Sequence, residues 1–325
     1  MNACTKKNIA ALRKGSIREG IAAELKRNYI LYILTIPIVV YFVAFCYLPM
    51  FGLVVAFKNY SPAKGIFGSD WAAMYGFAHF INYFKSDMFW QTMKNTLLIS
   101  AMNLIFSFPA PIIFALMLNE IKSAKYKKLI QTITYLPHFI SLVVICGMIS
   151  RFFKTDGIIT SIIVMFGGEK LNYMLEPSWY RGIYVGSEIW QSFGWGSIIY
   201  LSALSSIDQE LYEAAFLDGA GKWKQTLHVT LPGIAPTIII LFIMQMGKML
   251  SVGYEKTLLM QTDQTINTAR VISSYVYEVG IGAQRPVPNA LSYSSAIGLF
   301  QSVVNILFLC MANFISHKFS ETSLF

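Results

Sequence analysis

The sequence predicts an all-α protein that crosses a membrane several times, and three observations predict it. Only 13% of its 325 residues are charged and 55% are hydrophobic, whereas an ordinary soluble domain is about a quarter charged. The apolar residues gather into six windows of about 20 residues or more, the length that carries a helix through a hydrocarbon core of about 30 Å. The charges, 26 Lys and Arg against 17 Asp and Glu, gather between the windows. There they read as orientation signals and partners for anionic headgroups, and nucleic acid is excluded as the reason for the basic balance.

The windows are 29–57, 95–118, 129–150, 183–204, 234–254 and 291–315. Four contain no Asp, Glu, Lys or Arg; the other two hold Glu188 and Lys248. The first begins after a basic segment, lacks a small-residue cleavage pattern and is about twice as long as a signal-peptide core, so it is expected to remain as a spanning helix. Prolines 37, 49, 109, 111 and 137 are expected to bend their helices where neighbours or water satisfy the freed carbonyls. Cys4, Cys46, Cys146 and Cys310 and the four histidines are scattered, so no disulfide framework and no metal site is expected.

Orientation follows from the short basic flanks. Lys6, Lys7, Arg13, Lys14, Arg18, Lys26 and Arg27 precede the first window, and Lys122, Lys125, Lys127 and Lys128 follow the second. With six alternating helices both groups lie on one side, expected to be cytoplasmic along with both termini. Segments 58–94, 154–182 and 253–290 then face outward, with Trp71, Trp90 and Trp179 suited to an interfacial belt.

Between the fourth and fifth windows stands EAAFLDGAGKWKQTLHVTLP, Glu213 to Pro232. Ser206 followed by Gln209 fits a capping box, and Asp208, Glu210 and Glu213 place negative charge at a helix start. A short helix is predicted from about Gln209. Ile207, Leu211, Ala214, Ala215 and Asp218 share one side by helical spacing, flattened by the two alanines. Gly219 and Gly221 stop the helix, Lys222, Trp223 and Lys224 mark a membrane boundary, and Leu231-Pro232-Gly233 turns the chain into the fifth span. The expected product is a small rigid knob on the cytoplasmic face.

Those residues resemble a family motif. Glu-Ala-Ala, three residues, Gly, nine residues, an aliphatic, any residue, Leu-Pro is the EAA loop of permeases in binding-protein-dependent ABC importers. Here it is supplied by Glu213, Ala214, Ala215, Gly219, Val229, Leu231 and Pro232, with Val229 where Ile is usual. YLPMFGLVVAFKNYSPAKGIFGS (47–69), NTLLIS (95–100), FPAPIIFALMLNE (108–120) and QTITYLPHFIS (131–141) also look like permeases of Gram-positive importers for complex oligosaccharides and polysaccharide fragments, relatives of the larger maltose-permease subunit. The resemblance implies six transmembrane helices in all, a type I importer (MetI-like) permease core with the first span as an added N-terminal helix. It divides the chain into a basic segment 1–28, the first span and outer segment 29–94, a core 95–315 containing the EAA loop 205–233, and a tail 316–325.

What the resemblance implies about function is specific. The loop is a coupling helix that docks in a cleft of an ATPase subunit: Glu213 makes a polar contact there, Ala214 and Ala215 allow close packing, and Asp218, Gly219, Leu231 and Pro232 complete the motif. The expected partners are a second homologous permease, two ATPase subunits, an extracellular lipid-anchored solute-binding protein, membrane lipids and an oligosaccharide. No cofactor is expected on this chain, and ATP and Mg belong to the ATPase. The expected location is the cytoplasmic membrane of a Gram-positive bacterium.

The residues bear on the rival classes. No Gly-x4-Gly-Lys-Ser/Thr occurs, and Gly221-Lys222 and Gly247-Lys248 lack the earlier glycine and the following hydroxyl, so a nucleotide engine must lie in another polypeptide. A secondary transporter driven by an ion gradient is expected to show internal repeats and midplane acids; apart from Glu188 near a span end the chain offers neither. No Ser/His pair on adjacent spans, paired Asp or His-Glu-x-x-His suggests an intramembrane enzyme, and no catalytic residue is assigned. An importer for a non-sugar solute stays open, because only the resemblance says sugar.

Sugar sites combine aromatic faces with hydrogen-bonding side chains. EIWQSFGWGSIIY (188–200) supplies Gln191, Ser192 and Trp195, and the fifth span supplies Gln245 and Lys248. In the related maltose permease the helices flanking the EAA loop carry the sugar contacts, so these five residues are the expected pathway. The residues alone leave open packing for Trp195 and a headgroup-directed ammonium for Lys248.

Overall fold

The computed structural model describes residues 26–282, 289–319 and 323–324. Most of segment 1–28, with Cys4 and five of its basic residues, lies outside them, as do 283–288 of the outer segment 253–290 and part of the tail. The chain forms two units, residues 1–54 and residues 55–325. In the first, the helix that begins at Tyr29 and runs to Phe57 leaves nearly every side chain exposed, as an apolar span does when lipid is its solvent.

Helices build the second unit, and among its described residues the only β-pairing is one bridge, Lys58 to Trp71. In chain order the principal elements are α1 (Ala78–Lys85), α2 (Asp87–Asn119), α3 (Ala124–Phe139), α4 (Leu142–Phe152), α5 (Pro177–Ser205), α6 (Gln209–Leu217), α7 (Lys222–Met246), α8 (Tyr254–Met260), α9 (Ile272–Gly280) and α10 (Ala290–Lys318). Helices α2, α7 and α10, with the first-unit helix, are long and apolar enough to cross a membrane.

Two of the six predicted spans take other forms. The window 129–150 is a helix pair, α3 and α4, bent by 100°. Proline 137 opens a 3-10 turn at Leu136–Phe139, Ile140 is extended, and the Ser141 hydroxyl caps α4 by accepting from the Val144 amide at 3.4 Å. Leu136, before the proline, keeps helical geometry; the chain breaks at extended Ile140, and a serine cap starts the next helix in a new direction. The window 183–204 lies in α5, which is 29 residues long, about 43 Å at 1.5 Å per residue. It is not apolar enough to be read as a span by composition alone, because it carries Arg181, Glu188, Gln191 and several serines among its apolar residues.

Proline governs the long helices in another way. Among the described residues three wide, π-helical turns occur, at Phe42–Tyr47, Asn103–Ser107 and Thr226–Thr230, and each ends two residues before a proline: Pro49, Pro109 and Pro232. A proline ring collides with the carbonyl four residues earlier and offers it no N–H. The wide turn moves that carbonyl aside and lets the helix continue. Leu231-Pro232-Gly233, expected to turn the chain into the fifth span, therefore lies inside the uninterrupted α7.

Small residues set the packing around α5. A Cβ on Gly194 would lie 2.2 Å from the Thr134 carbonyl oxygen, and one on Gly196 would lie 3.2 Å from Pro111. Only glycine at 194 lets α5 sit against the α3 backbone while its other side meets α2. At one end α5 packs Tyr180 and Tyr184 against Ile145, Met174 and Val271; at the other it packs Tyr200 and Leu204 against Ile112, Ile207 and Ile234.

The segment between α7 and α10 is held by buried polar groups. Asn95, 2% exposed, donates to the carbonyls of Asn267 and Arg270 at 2.9 and 3.0 Å and accepts from Arg181 at 2.9 Å. Thr96 accepts from the Ile272 amide at 3.0 Å. The segment 254–280, with α8 and α9, thus meets the first turns of α2 at the end of the unit where α5 begins, and α6 lies at the end where α5 finishes.

Candidate functional site: a terminal helix and a polar cleft

The short helix α6 is built to project. Its N-cap is Asp208, whose carboxylate accepts from the Glu210 amide at 3.0 Å. The expected capping box from Ser206 does not form, because the Ser206 hydroxyl turns back to the Ala203 carbonyl at 2.7 Å and closes α5. At its other end the Ala220 amide donates to the Ala215 carbonyl at 2.9 Å and the Gly219 amide to the Phe216 carbonyl at 3.0 Å. That pair of bonds is a Schellman stop, whose pivot residue needs the left-handed backbone that glycine tolerates; Gly219 has φ +77°.

Three contacts hold α6 on the bundle. The Tyr212 and Thr230 hydroxyls lie 3.0 Å apart. Ile207, buried just before α6, fits where a Cβ on Gly233 would come within 2.8 Å of it; it does not share the outer side of α6 as its spacing suggested. Beyond the stop, Lys222 pairs with Glu120 at 3.2 Å. The rest of α6 is open: Glu213, Ala214 and Asp218 are exposed, Ala215 is half-buried, and Leu211, Phe216 and Leu217 are 55%, 72% and 85% exposed. Leu231 and Pro232 lie in α7 beside Thr230, so the Tyr212 bond and the Ile207 contact join them to α6.

The second feature is a cleft along α5. Its two halves have volumes of about 400 and 370 Å³. Asn103, Glu188, Gln245 and Lys248 line both; Gln191 lines the first and Ser192 the second. Trp195 is not on this wall. It stacks on His138, ring centroids 4.9 Å apart and planes 3° apart, with Phe139 edge-on at 5.3 Å, and so faces the α3 turn. The cleft residues that spacing did not select are Asn103 and Glu188. An Asn inside the apolar window 95–118, eight residues beyond the Asn that opens it, was the available signal for the first, and an intramembrane carboxylate for the second.

The cleft exists because the fifth span stops short. Helix α7 ends at Met246, and residues 247–253 are non-helical. Irregular backbone at membrane depth persists only where protein satisfies it or it lines a cavity, and both hold here. Asn305 accepts from the Leu250 amide at 2.8 Å and donates to the Ser251 hydroxyl at 2.8 Å, and Gln301 donates to the Leu250 carbonyl at 2.9 Å. The Ser100 hydroxyl donates to the Met249 carbonyl. Above this strip, Lys256 of α8 reaches across to α5, where its ammonium lies 2.7 Å from the Glu188 carboxylate and 3.1 Å from the Tyr184 carbonyl.

Among the described residues no group of three or more His, Cys, Asp or Glu side chains is placed to hold a metal ion. The chemistry offered is recognition: amides, hydroxyls, two carboxylates and two ammonium groups line the cleft.

Long apolar helices around a polar cleft, with a firmly stopped helix presented at one end, define a membrane permease component. Residues 107–321 match the family described as binding-protein-dependent transport system inner membrane component, and the chain belongs to that family. It is 42% identical over 304 residues to Protein LplB of Bacillus subtilis (strain 168), covering 93% of each chain. It is 38% identical over 317 residues to the polygalacturonan/rhamnogalacturonan transport system permease protein YteP of the same organism, covering 97% of this chain and 96% of the other. A solved chain of a bacterial alginate ABC transporter, in complex with an alginate pentasaccharide-bound periplasmic protein, superposes with a TM-score of 0.83 at 37% identity, covering 93% of this chain and 99% of that one. The chain is an ABC-importer permease, a transport subunit whose ATPase is a separate polypeptide.

Proposed function

We propose that this chain forms half of the pathway through which an ATP-driven importer moves a complex oligosaccharide across the cytoplasmic membrane of a Gram-positive bacterium. A second homologous permease completes the pathway, an extracellular lipid-anchored binding protein delivers the sugar, and two ATPase subunits bind ATP and Mg. The permease core runs over 95–315, with both termini and α6 on the cytoplasmic side. The named sugar-transport relatives favour an oligosaccharide over a non-sugar solute, and family membership sets aside the ion-gradient reading.

The observation that carries the proposal is α6: a rigid two-turn helix that leaves Leu211, Phe216 and Leu217 in the open, with Glu213 exposed among them. Apolar side chains on so small and well stopped a helix are explained by a partner that covers them. The ATPase docks there, Glu213 making a polar contact and Ala214 and Ala215 permitting close approach. Gln191, Ser192, Gln245 and Lys248 contact the sugar in the cleft, and Trp195 supports α5 from behind through His138.

The test is co-purification of the tagged chain with its ATPase, repeated for Glu213→Ala and for a double substitution of Ala214 and Ala215 by Leu. The proposal expects the wild type to retain the ATPase and the double variant to lose it. Retention by the double variant, with uptake intact, contradicts α6 as the docking element.

A further inference from the structure

Among the described residues, one cation of the cleft, Lys248, has no carboxylate within ion-pair distance. We infer that the cleft's ligand carries a carboxylate, as a uronic acid residue does, and that the Lys248 ammonium pairs with it. This rests on the oligosaccharide reading and adds the charge of the sugar.

Four ionisable side chains line the cleft: Glu188, Lys248, Glu255 and Lys256. Two of them satisfy each other. The Lys256 side chain is 4% exposed, 2.7 Å from Glu188, and its ammonium lies 4.6 Å from the centre of the Tyr184 ring. Glu255 is exposed in the first turn of α8, where it accepts from the Tyr254 hydroxyl at 3.2 Å. Lys248 is different: among the described residues no carboxylate lies within the 4.0 Å of an ion pair from its ammonium. It is exposed and shared by both halves of the cleft.

An ammonium at the depth of a spanning helix persists where water or a ligand solvates it. Lys248 follows the C-terminus of α7 by two residues, where the negative end of the helix dipole attracts a cation. A neutral sugar offers it only hydroxyl oxygens. Hydroxyls need donors and acceptors alike, which Asn103, Gln191, Ser192 and Gln245 supply, whereas an ammonium only donates. Its strongest partner is an anionic oxygen. An ammonium without a carboxylate partner, beside neutral amides, suits a site that holds a sugar ring by its hydroxyls and selects it by its carboxylate.

The experiment uses the complete importer with its binding protein in proteoliposomes and measures ATP-driven uptake of uronate oligomers, oligogalacturonate and oligoalginate, and of neutral galacto- and arabino-oligosaccharides. Wild type, Lys248→Gln and Lys248→Arg are compared with the same binding protein, so its own selectivity cancels; co-purification with the ATPase verifies assembly of each. The expected result is uptake of a uronate oligomer by the wild type, about 10-fold or greater loss in Lys248→Gln, the factor of one charge-assisted hydrogen bond, and retention in Lys248→Arg. Uronate uptake by Lys248→Gln at the wild-type rate overturns the inference, as does a wild type that carries neutral oligomers and no uronate; both leave the oligosaccharide reading standing. Uptake of neither class contradicts the oligosaccharide reading itself.

Discussion

The Tyr212 hydroxyl lies 3.0 Å from the Thr230 hydroxyl, and this bond ties the projecting helix α6 to the wide turn of α7. Thr230 is buried and also donates to the Gln225 carbonyl at 3.3 Å, so a push on α6 is delivered to a fixed point of the fifth span. Tyr212→Phe removes the bond and keeps the ring. A hydrogen bond contributes about 1 kcal/mol, so sugar moved per ATP hydrolysed is expected to fall roughly fivefold while the ATPase stays bound. Unchanged stoichiometry would show that force travels by another route.

The Schellman stop makes a sharper demand. Gly219 has φ +77°, and a β-branched residue in that region costs about 1–2 kcal/mol. Gly219→Val is expected to unwind the last turn of α6 and to reduce both ATPase retention and uptake, with the thermal stability of the bundle nearly unchanged, since no atom lies within 4 Å of a Cβ at that position. Gly219→Asn, which tolerates the left-handed region better, should recover much of the loss.

At Gly194 the prediction reverses. A Cβ there would overlap the Thr134 carbonyl at 2.2 Å, and backbone cannot yield as a side-chain tip does. Gly194→Ala is expected to separate α5 from α3 and to cost about 1–3 kcal/mol, the range for overpacking. Thermal unfolding in detergent checks it; an unchanged midpoint would mean that the two helices are not packed as described.

Gln245 and Trp195 separate contact with the sugar from support of the wall. Gln245→Ala is expected to lower uptake by about 10-fold by removing hydrogen bonds to the ligand, with the unfolding midpoint preserved. Trp195→Ala loses its stacking on His138, worth about 0.5–1.5 kcal/mol for an aromatic pair, and is expected to lower the midpoint first. A normal midpoint together with abolished uptake would place Trp195 in the pathway.

On the opposite end of the unit His79 is 6% exposed and donates from Nε2 to the Lys58 carbonyl at 3.2 Å. Burial pushes its pKa below 6.5, and the hydrogen bond offsets this only in part. The folded cap therefore favours the neutral ring. Its contribution to stability is present above pH 6.5 and declines as pH falls through 6.5 toward the lower folded value. Thermal unfolding at pH 5 and pH 7.5 should show a loss in the wild type on acidification that is smaller in His79→Gln.

Much of this was legible in sequence. The apolar windows located four long helices, and the acidic start, paired alanines and Gly219 located α6 within its bounds. What escaped depends on atoms far apart in the chain. Ser206 was as good an N-cap as Asp208 until α5 claimed its hydroxyl. Leu231-Pro232 reads as a turn unless one knows that a wide turn upstream absorbs the proline. Trp195 and Gln191 share a helical face by spacing, but Gly194 draws α3 close enough for its turn to meet the Trp195 side of that face, leaving Gln191 to the cleft. Asn103 and Glu188 needed the break of α7 at Met246 before they could be seen to face a common space.

The measurement that bears most directly on the central claim is photo-crosslinking from position 214. A photoreactive amino acid replaces Ala214 in the assembled importer, and the adducts are identified in membranes with and without ATP. The account predicts an adduct with the nucleotide-hydrolysing subunit whose yield changes when ATP is added. Adducts confined to lipid, or none, from an importer that still transports would contradict it.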